Sequence, residues 1–298
     1  MKTILIAGAT GLIGTHLIKT LANTYKFILI TRDKNNVKST KKNCVIISWK
    51  EFNTQNSKWI EEADIVINLA GESILKPFTK RNKQKIYDSR IQSTKYLVRA
   101  IQNTTKKPSC FINASAIGYY DHSIANKTYT EADRAGKGFL SKLCQDWEHE
   151  ARKASIRTIQ LRIGLVLDSK KGFLKTMLIL FNTYMGGFLG NGKQACPWIH
   201  IEDVTNSIKF IIETNQISGP VNLVSPKICD LKTFCNILSH ITNKPSWLHP
   251  PAFIIRLLLG ELAASLLKTP FVKPEKLLLN KYKFIHIDLE KTLNYSIK

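Results

Sequence analysis

Close to the start of the chain, an apolar run breaks on a glycine. Two more glycines follow at three-residue spacing, giving Gly8-Ala9-Thr10-Gly11-Leu12-Ile13-Gly14 after "KTILIA". A short, continuously apolar run reads as a strand buried on both faces, as in a parallel sheet. Ile13, Leu17 and Leu21 then recur at helical spacing. A strand that stops on glycine and opens straight into an amphipathic helix points that helix N-terminus at whatever lies beyond the strand's carboxyl end. Each glycine has its own task there. Gly8 permits the sharp turn, Gly11 lets the backbone approach a pyrophosphate, and Gly14 lets the helix pack on the sheet. The free N–H groups and partial positive charge of the helix start favour the anion. A dinucleotide site is expected, with Thr10, Leu12 and Ile13 in the same cradle. The alternative is a flavodoxin-like turn with no dinucleotide.

The same alternation continues. Strands are expected at 27–31, 45–48, 64–71, 109–116 and 157–167, with helices over 81–102 and 139–154, the latter carrying Leu140, Leu143, Trp147 and Ala151 on one face. This is an α/β pattern: a Rossmann-type, doubly wound parallel sheet covered on both faces. After residue 168 the pattern loosens. A Gly-rich stretch covers 186–198. Helices are expected over 201–214, entered and capped near Asp203, over 229–242 with Asp230 as N-cap, and over 251–268. The chain thus divides into a dinucleotide-binding domain, 1–167, its sheet completed by later strands, and a smaller helix-rich lobe, 168–298. Ligands in such folds sit at the carboxyl ends of the strands, here against the second lobe.

Composition narrows the function classes. The 298 residues carry a formal charge of +22. Lysines are spread along the whole length, and the densest cluster, "KPFTKRNKQK" at 76–85, lacks the interleaved aromatics of single-strand binders. No specific nucleic-acid partner is expected, although a basic field favours anionic small molecules. The apolar stretch 251–268 is interrupted by Arg256 and Glu261, so no membrane span is expected. The six cysteines form no CxxC and pair with no histidine at zinc spacing, so no metal site is expected. Scattered thiols and no leader-like start suggest a cytoplasmic protein. A homodimer is compatible with all of this.

The end of the second strand distinguishes the dinucleotides. NAD sites usually offer a carboxylate to the ribose there. This chain offers Thr31 and Arg32, and a guanidinium suits a 2′-phosphate. NADP(H) is the expected cofactor. Asp33, one step late, keeps NAD as the alternative.

Further motifs carry a family resemblance. "NLAG" (68–71) follows the fourth strand and "NASAIGYY" (113–120) the fifth. With the glycine turn, these resemble the extended, nucleotide-sugar epimerase/dehydratase branch of the short-chain dehydrogenase/reductases. "SRIQST" (89–94), "LCQDWE" (143–148), "LRIGLVL", "PWIHIEDV" (197–204) and "LLLGELAASLLKTPFVKPEKLL" are similar to the YfcH-like epimerase-family proteins, which carry a small extra C-terminal domain, here about 245–292. Asp121, Ala195, Cys196 and Asn280 depart from that pattern.

The resemblance implies roles. Leu69, Ala70 and Gly71 would line the cofactor. Ser115 would orient a substrate carbonyl or hydroxyl, and Lys142 would hold the cofactor ribose. The superfamily's proton-transferring tyrosine, four positions before that lysine on one helix face, falls here on Gly138. Tyr119, four residues past Ser115, is the candidate to supply the missing phenol. Tyr120, Arg162 and His200 fall on the substrate side, while Trp147 and Glu148 read as packing and helix-surface residues. Two functions remain open. One is an NADP-dependent epimerase or oxidoreductase acting on a small carbonyl or hydroxyl substrate, with nucleotide-linked sugars among the candidates. The other is a dinucleotide-binding sensor or partner protein with little catalysis.

Overall fold

A computed structural model describes residues 1–34, 43–74, 78–121, 127–260, 263 and 266–297. Its strands are β1 (Thr3–Ala7), β2 (Lys26–Thr31), β3 (Cys44–Ser48), β4 (Ile65–Asn68), β5 (Cys110–Ala116), β6 (Thr128–Tyr129), β7 (Thr158–Ile163), β8 (Leu165–Leu167), β9 (Trp198–His200), β10 (Gly219–Leu223) and β11 (Phe271–Val272). Its helices are α1 (Leu12–Leu21), α2 (Trp49–Thr54), α3 (Asn56–Glu61), α4 (Lys80–Asn103), α5 (Phe139–Arg152), α6 (Gly172–Asn182), α7 (Ile201–Glu213), α8 (Leu231–Thr242), α9 (Ala252–Leu259), α10 (Glu275–Leu279) and α11 (Leu289–Ile297). Seven strands form one parallel sheet in the order β10-β7-β5-β4-β1-β2-β3. The architecture is Rossmann-like. The chain switches direction across the sheet on either side of β1, so the glycine turn opens at the switch point where such sheets bind ligands.

Alternation along β1 divides the core. Ile4 and Ile6 pack on one face with Leu17 and Leu21 of α1 and Val204, Ile208 and Ile211 of α7. Leu5 and Ala7 pack on the other with Phe52, Ile60, Leu97 and Val98. Each fully buried side chain of this size contributes roughly 1.5–3 kcal/mol. A third cluster, including Leu174, Phe181, Trp198, Phe234 and Leu293, forms the interior of the later segments. Among the described residues no helix is long and apolar enough to cross a membrane.

Three local expectations are corrected. The strand expected over 157–167 is two strands. The chain bends at Gly164, β8 leaves the sheet to pair with β9, and a side chain at 164 would run into the Pro197 carbonyl. Helix α7 starts before Asp203: His200 is its N-cap, Nδ1 accepting from the Glu202 N–H at 3.3 Å. The Asp203 carboxylate instead accepts from the Ile285 and His286 N–H groups, each at 2.8 Å. Of the helix expected over 251–268, α9 covers Ala252–Leu259, a turn follows at Gly260, and 263 and 266–267 are helical again. Residues 261, 262, 264 and 265, with the Glu261 of the LGE segment, and residues 76 and 77 of the basic cluster, lie outside the described residues. Asp230 caps α8 as its position suggests, accepting from the Thr233 N–H at 2.7 Å.

Candidate functional site

Two adjoining cavities lie at the carboxyl ends of the strands, and both are lined by Gly8, Gly11, Leu69, Ala70 and Gly71. The smaller, about 310 Å³, extends over the end of β2, where Thr10, Thr31, Arg32, Trp49 and Tyr96 line it. Thr31 is buried and turns back on its own loop, bonding Asp33 backbone atoms at 3.0 and 3.3 Å. Arg32 reaches out: its side chain is 83% exposed, with Nη1 3.4 Å from the Glu72 carboxylate. The larger cavity, about 400 Å³, extends toward β5, where Leu12, Ile13, Gly14, Arg90, Ser115, Cys144 and Trp147 line it, with Leu266 and Thr269 from the C-terminal segment. Burial pulls the pKa of the Arg90 guanidinium down and pushes the Cys144 thiol up to about 12, so Cys144 is no nucleophile at neutral pH.

Behind Ser115 stands a buried charged network. The Ser115 Oγ donates to Glu148 Oε1 at 2.8 Å. The Glu148 carboxylate meets the Arg162 guanidinium in a two-pronged pair, 2.8 Å to Nε and 2.9 Å to Nη2. Arg162 also donates to the Tyr120 hydroxyl at 3.0 Å, which donates to Asn222 Oδ1 at 2.6 Å. Burial disfavours the Arg162 charge, but the Glu148 hydrogen bonds outweigh it and hold its pKa above the ordinary value. Burial also pushes the Tyr120 phenol up, well out of the range of proton transfer at neutral pH. With its hydrogen committed to Glu148, Ser115 turns lone pairs toward the cavity and suits a hydroxyl donor there better than a carbonyl.

The structure therefore brings some expected residues together and leaves others apart. Gly8, Thr10, Gly11, Leu12, Ile13, Gly14, Thr31, Arg32, Leu69, Ala70, Gly71 and Ser115 line the paired cavities. Lys142 does not. Its side chain is 71% exposed, with Nζ 2.8 Å from Asp146, and that hydrogen bond raises its pKa. Tyr119 is half-buried with its ring centre 3.5 Å from the Arg162 guanidinium carbon, and like Tyr120 and Arg162 it is not among the residues that line either cavity. His200 is buried at the α7 N-terminus and lines neither cavity.

Gly138 is more than a missing side chain. It precedes α5 as N-cap with φ +96°, a conformation L side chains rarely adopt, so position 138 never joins Lys142 on a helix face. Glu148, expected on the helix surface, is fully buried. Its partner Arg162 lies on β7, too far along the chain for local spacing to reveal. Arg90 reads in "SRIQST" as one polar helix residue among several, and only its approach to Gly71 across the larger cavity marks it.

A glycine turn at a sheet switch point, a paired cleft beyond it and a serine at the carboxyl end of β5 define the class: a dinucleotide-fold protein of the short-chain dehydrogenase type. The chain belongs to the NAD dependent epimerase/dehydratase family, whose match spans residues 4–223, and a domain of unknown function (DUF1731) matches residues 250–295. It is 33% identical over 298 residues to the epimerase family protein YfhF of Bacillus subtilis, covering 99% of this chain and 97% of that one. Among solved structures it is similar to the human epimerase family protein SDR39U1 (isoform 2) with NADPH, at TM-score 0.87 and 26% identity, covering 98% of each chain. It is also similar to the nucleoside-diphosphate sugar epimerase of Corynebacterium glutamicum, at TM-score 0.79 and 27% identity, covering 99% of this chain and 58% of that one.

Proposed function

We propose that the protein binds NADP(H) along the paired cleft and acts as an epimerase or oxidoreductase on a small carbonyl or hydroxyl substrate. The observation that carries this reading is the continuity of the cleft. The glycine turn joins an Arg32-lined cavity to one lined by Ser115. The likeness to a human relative described with NADPH supports the cofactor. In this reading the α1 N-terminus holds the pyrophosphate, Arg32 the 2′-phosphate, and Trp49 and Tyr96 flank the adenine end. When bound, the cofactor would give hydride to a carbonyl carbon or take it from the carbon of a hydroxyl. Ser115 accepts a hydrogen bond from the substrate hydroxyl, Glu148 fixes that serine, and Arg90 offers a cation to a phosphate in the larger cavity. Tyr119 would move the proton in place of position 138, giving it to the oxygen of a carbonyl being reduced or taking it from a hydroxyl being oxidised, which requires its ring to move from Arg162 toward the cavity. Nucleotide-linked sugars are the substrate class favoured by the likeness to the C. glutamicum epimerase. Residues 1–167 then act as the dinucleotide-binding domain and 168–298 as the substrate side, in a cytoplasmic protein compatible with a homodimer.

The exposed Lys142 and the Gly138 backbone favour a second reading, a dinucleotide-binding protein without turnover. A panel of sugar nucleotides, ketones and aldehydes, followed by nicotinamide absorbance and product analysis, separates the two. The enzyme reading expects turnover, lowered by about 10²–10⁴ in Tyr119→Phe. Turnover unchanged in that variant removes Tyr119 as proton source. NADPH binding without turnover of any compound establishes the second reading.

A further inference from the structure

Away from the cleft, at the start of α7, His200, Glu202 and His286 each present one metal-ligating atom within 4.8 Å of the others. We propose that these three residues form a binding site for a borderline divalent cation such as Zn²⁺ or Co²⁺, independent of the cofactor reading above. Ligand atoms held about 2.0–2.2 Å from a shared zinc lie roughly 3–3.5 Å apart. Glu202 Oε2 stands 2.8 Å from His286 Nε2 and 3.8 Å from His200 Nδ1, which brackets that spacing.

The surroundings orient all three. The Tyr295 hydroxyl donates to Glu202 Oε1 at 2.9 Å and leaves Oε2 to the histidines. The Asp203 carboxylate grips the backbone N–H groups of Ile285 and His286 and so fixes where the His286 ring stands. His200 Nδ1 accepts a backbone hydrogen bond, so it carries a lone pair rather than a proton. That bond is long, 3.3 Å, and a cation competes for the same lone pair on good terms. Both imidazoles are enclosed, with side-chain exposures of 5% and 9%, while Glu202 at 42% leaves a path from solvent. A helix N-terminus by itself repels cations. Here the Glu202 carboxylate, oriented by the Tyr295 hydroxyl, offsets it with a negative charge placed beside both imidazoles. Two imidazoles and one carboxylate suit zinc, cobalt or nickel better than calcium or magnesium. The sequence hid the set because His286 lies 84 residues beyond Glu202. A cation there would clamp the segment before α11 to the helix that packs beside α1.

The test uses the full chain after EDTA treatment. Calorimetric titration with Zn²⁺ is expected to reveal one saturable site, and Co²⁺ to give weak visible bands of a nitrogen and oxygen ligand set without thiolate charge-transfer absorption. Removing an outer partner of a metal site already weakens binding by about 10–100-fold. Glu202→Gln and His286→Gln should each weaken Zn²⁺ binding at least about tenfold, while Cys229→Ser leaves it unchanged. Circular dichroism and melting in EDTA verify that the variants fold, and if one does not, the wild-type Co²⁺ spectrum decides alone. No saturable binding, thiolate bands, or unchanged affinity in folded Glu202→Gln and His286→Gln overturns the proposal.

Discussion

A methyl group built on Gly8 would meet the Leu69 and Ala70 backbone at 2.6–2.8 Å, and Gly8 itself sits at φ +82°. One on Gly14 would press on the Gly8 carbonyl at 2.6 Å and on Ala9 at 2.8 Å. These two glycines hold the turn and the helix together, and substitution there breaks the fold. Gly11 differs: an added Cβ has one neighbour, the Gly8 carbonyl at 3.3 Å, and Gly11 lines both cavities. The tight turn at Gly8 and the close packing at Gly14 were legible in the sequence, because strand, turn and helix are contiguous. Gly11→Val should therefore separate binding from folding. Losing glycine as helix N-cap costs about 1 kcal/mol, so the melting transition should survive with only a modest shift. NADPH affinity, measured by fluorescence titration, should fall at least about tenfold, since 1.4 kcal/mol of lost binding already gives that factor. Normal NADPH affinity in a folded Gly11→Val protein would mean the cradle has been misplaced.

At the scale of elements, α5 was readable and its most consequential residue was not. Leu143, Trp147 and Ala151 are buried as their helical spacing suggests. Glu148 lies beside them with no exposed surface, because the Arg162 guanidinium from β7 meets it inside. Local periodicity sees a charge and assigns it to water; only the closed sheet reveals its partner. Likewise Gly164 looked like one residue of a long strand until β9 gave β8 somewhere else to pair. The helix–sheet pair gives a stability prediction. Removing one member of a buried ion pair strands the other and costs about 3–5 kcal/mol, so Glu148→Gln should lower unfolding free energy by that order in urea titration. Glu131 provides the contrast. It too is buried, but no arginine pairs with its carboxylate among the described residues, and burial raises its pKa. The folded chain keeps that proton to higher pH than the unfolded chain, so its contribution to stability is lost as pH rises through the raised value. Glu131→Gln should therefore lie within about 1 kcal/mol of wild type at neutral pH and flatten that pH slope. A cost at Glu131 equal to that at Glu148 would contradict the assignment of the ion pair.

Across the whole molecule, the parallel sheet followed from the strand–helix alternation, and the position of Arg32 at the end of β2 from the second apolar run. The clustering of Ser115, Glu148, Arg162 and Tyr120 did not, because it joins β5, α5, β7 and the loop after β5 through tertiary contacts alone. The net charge of +22 raises the attraction of any anion but selects none. In the proposed reading selection falls to Arg32, exposed at the lip of the smaller cavity with a 3.4 Å contact to Glu72 to give up. Charge-assisted hydrogen bonds to a 2′-phosphate contribute about 1.5–3 kcal/mol each. The most direct test is calorimetric titration of the wild-type chain and of Arg32→Ala with NADPH and with NADH at one ionic strength. Wild type should bind NADPH at least about tenfold more tightly than NADH, and Arg32→Ala should remove most of that difference while leaving NADH affinity in place. Equal wild-type affinities, or no binding of either dinucleotide, would contradict the account.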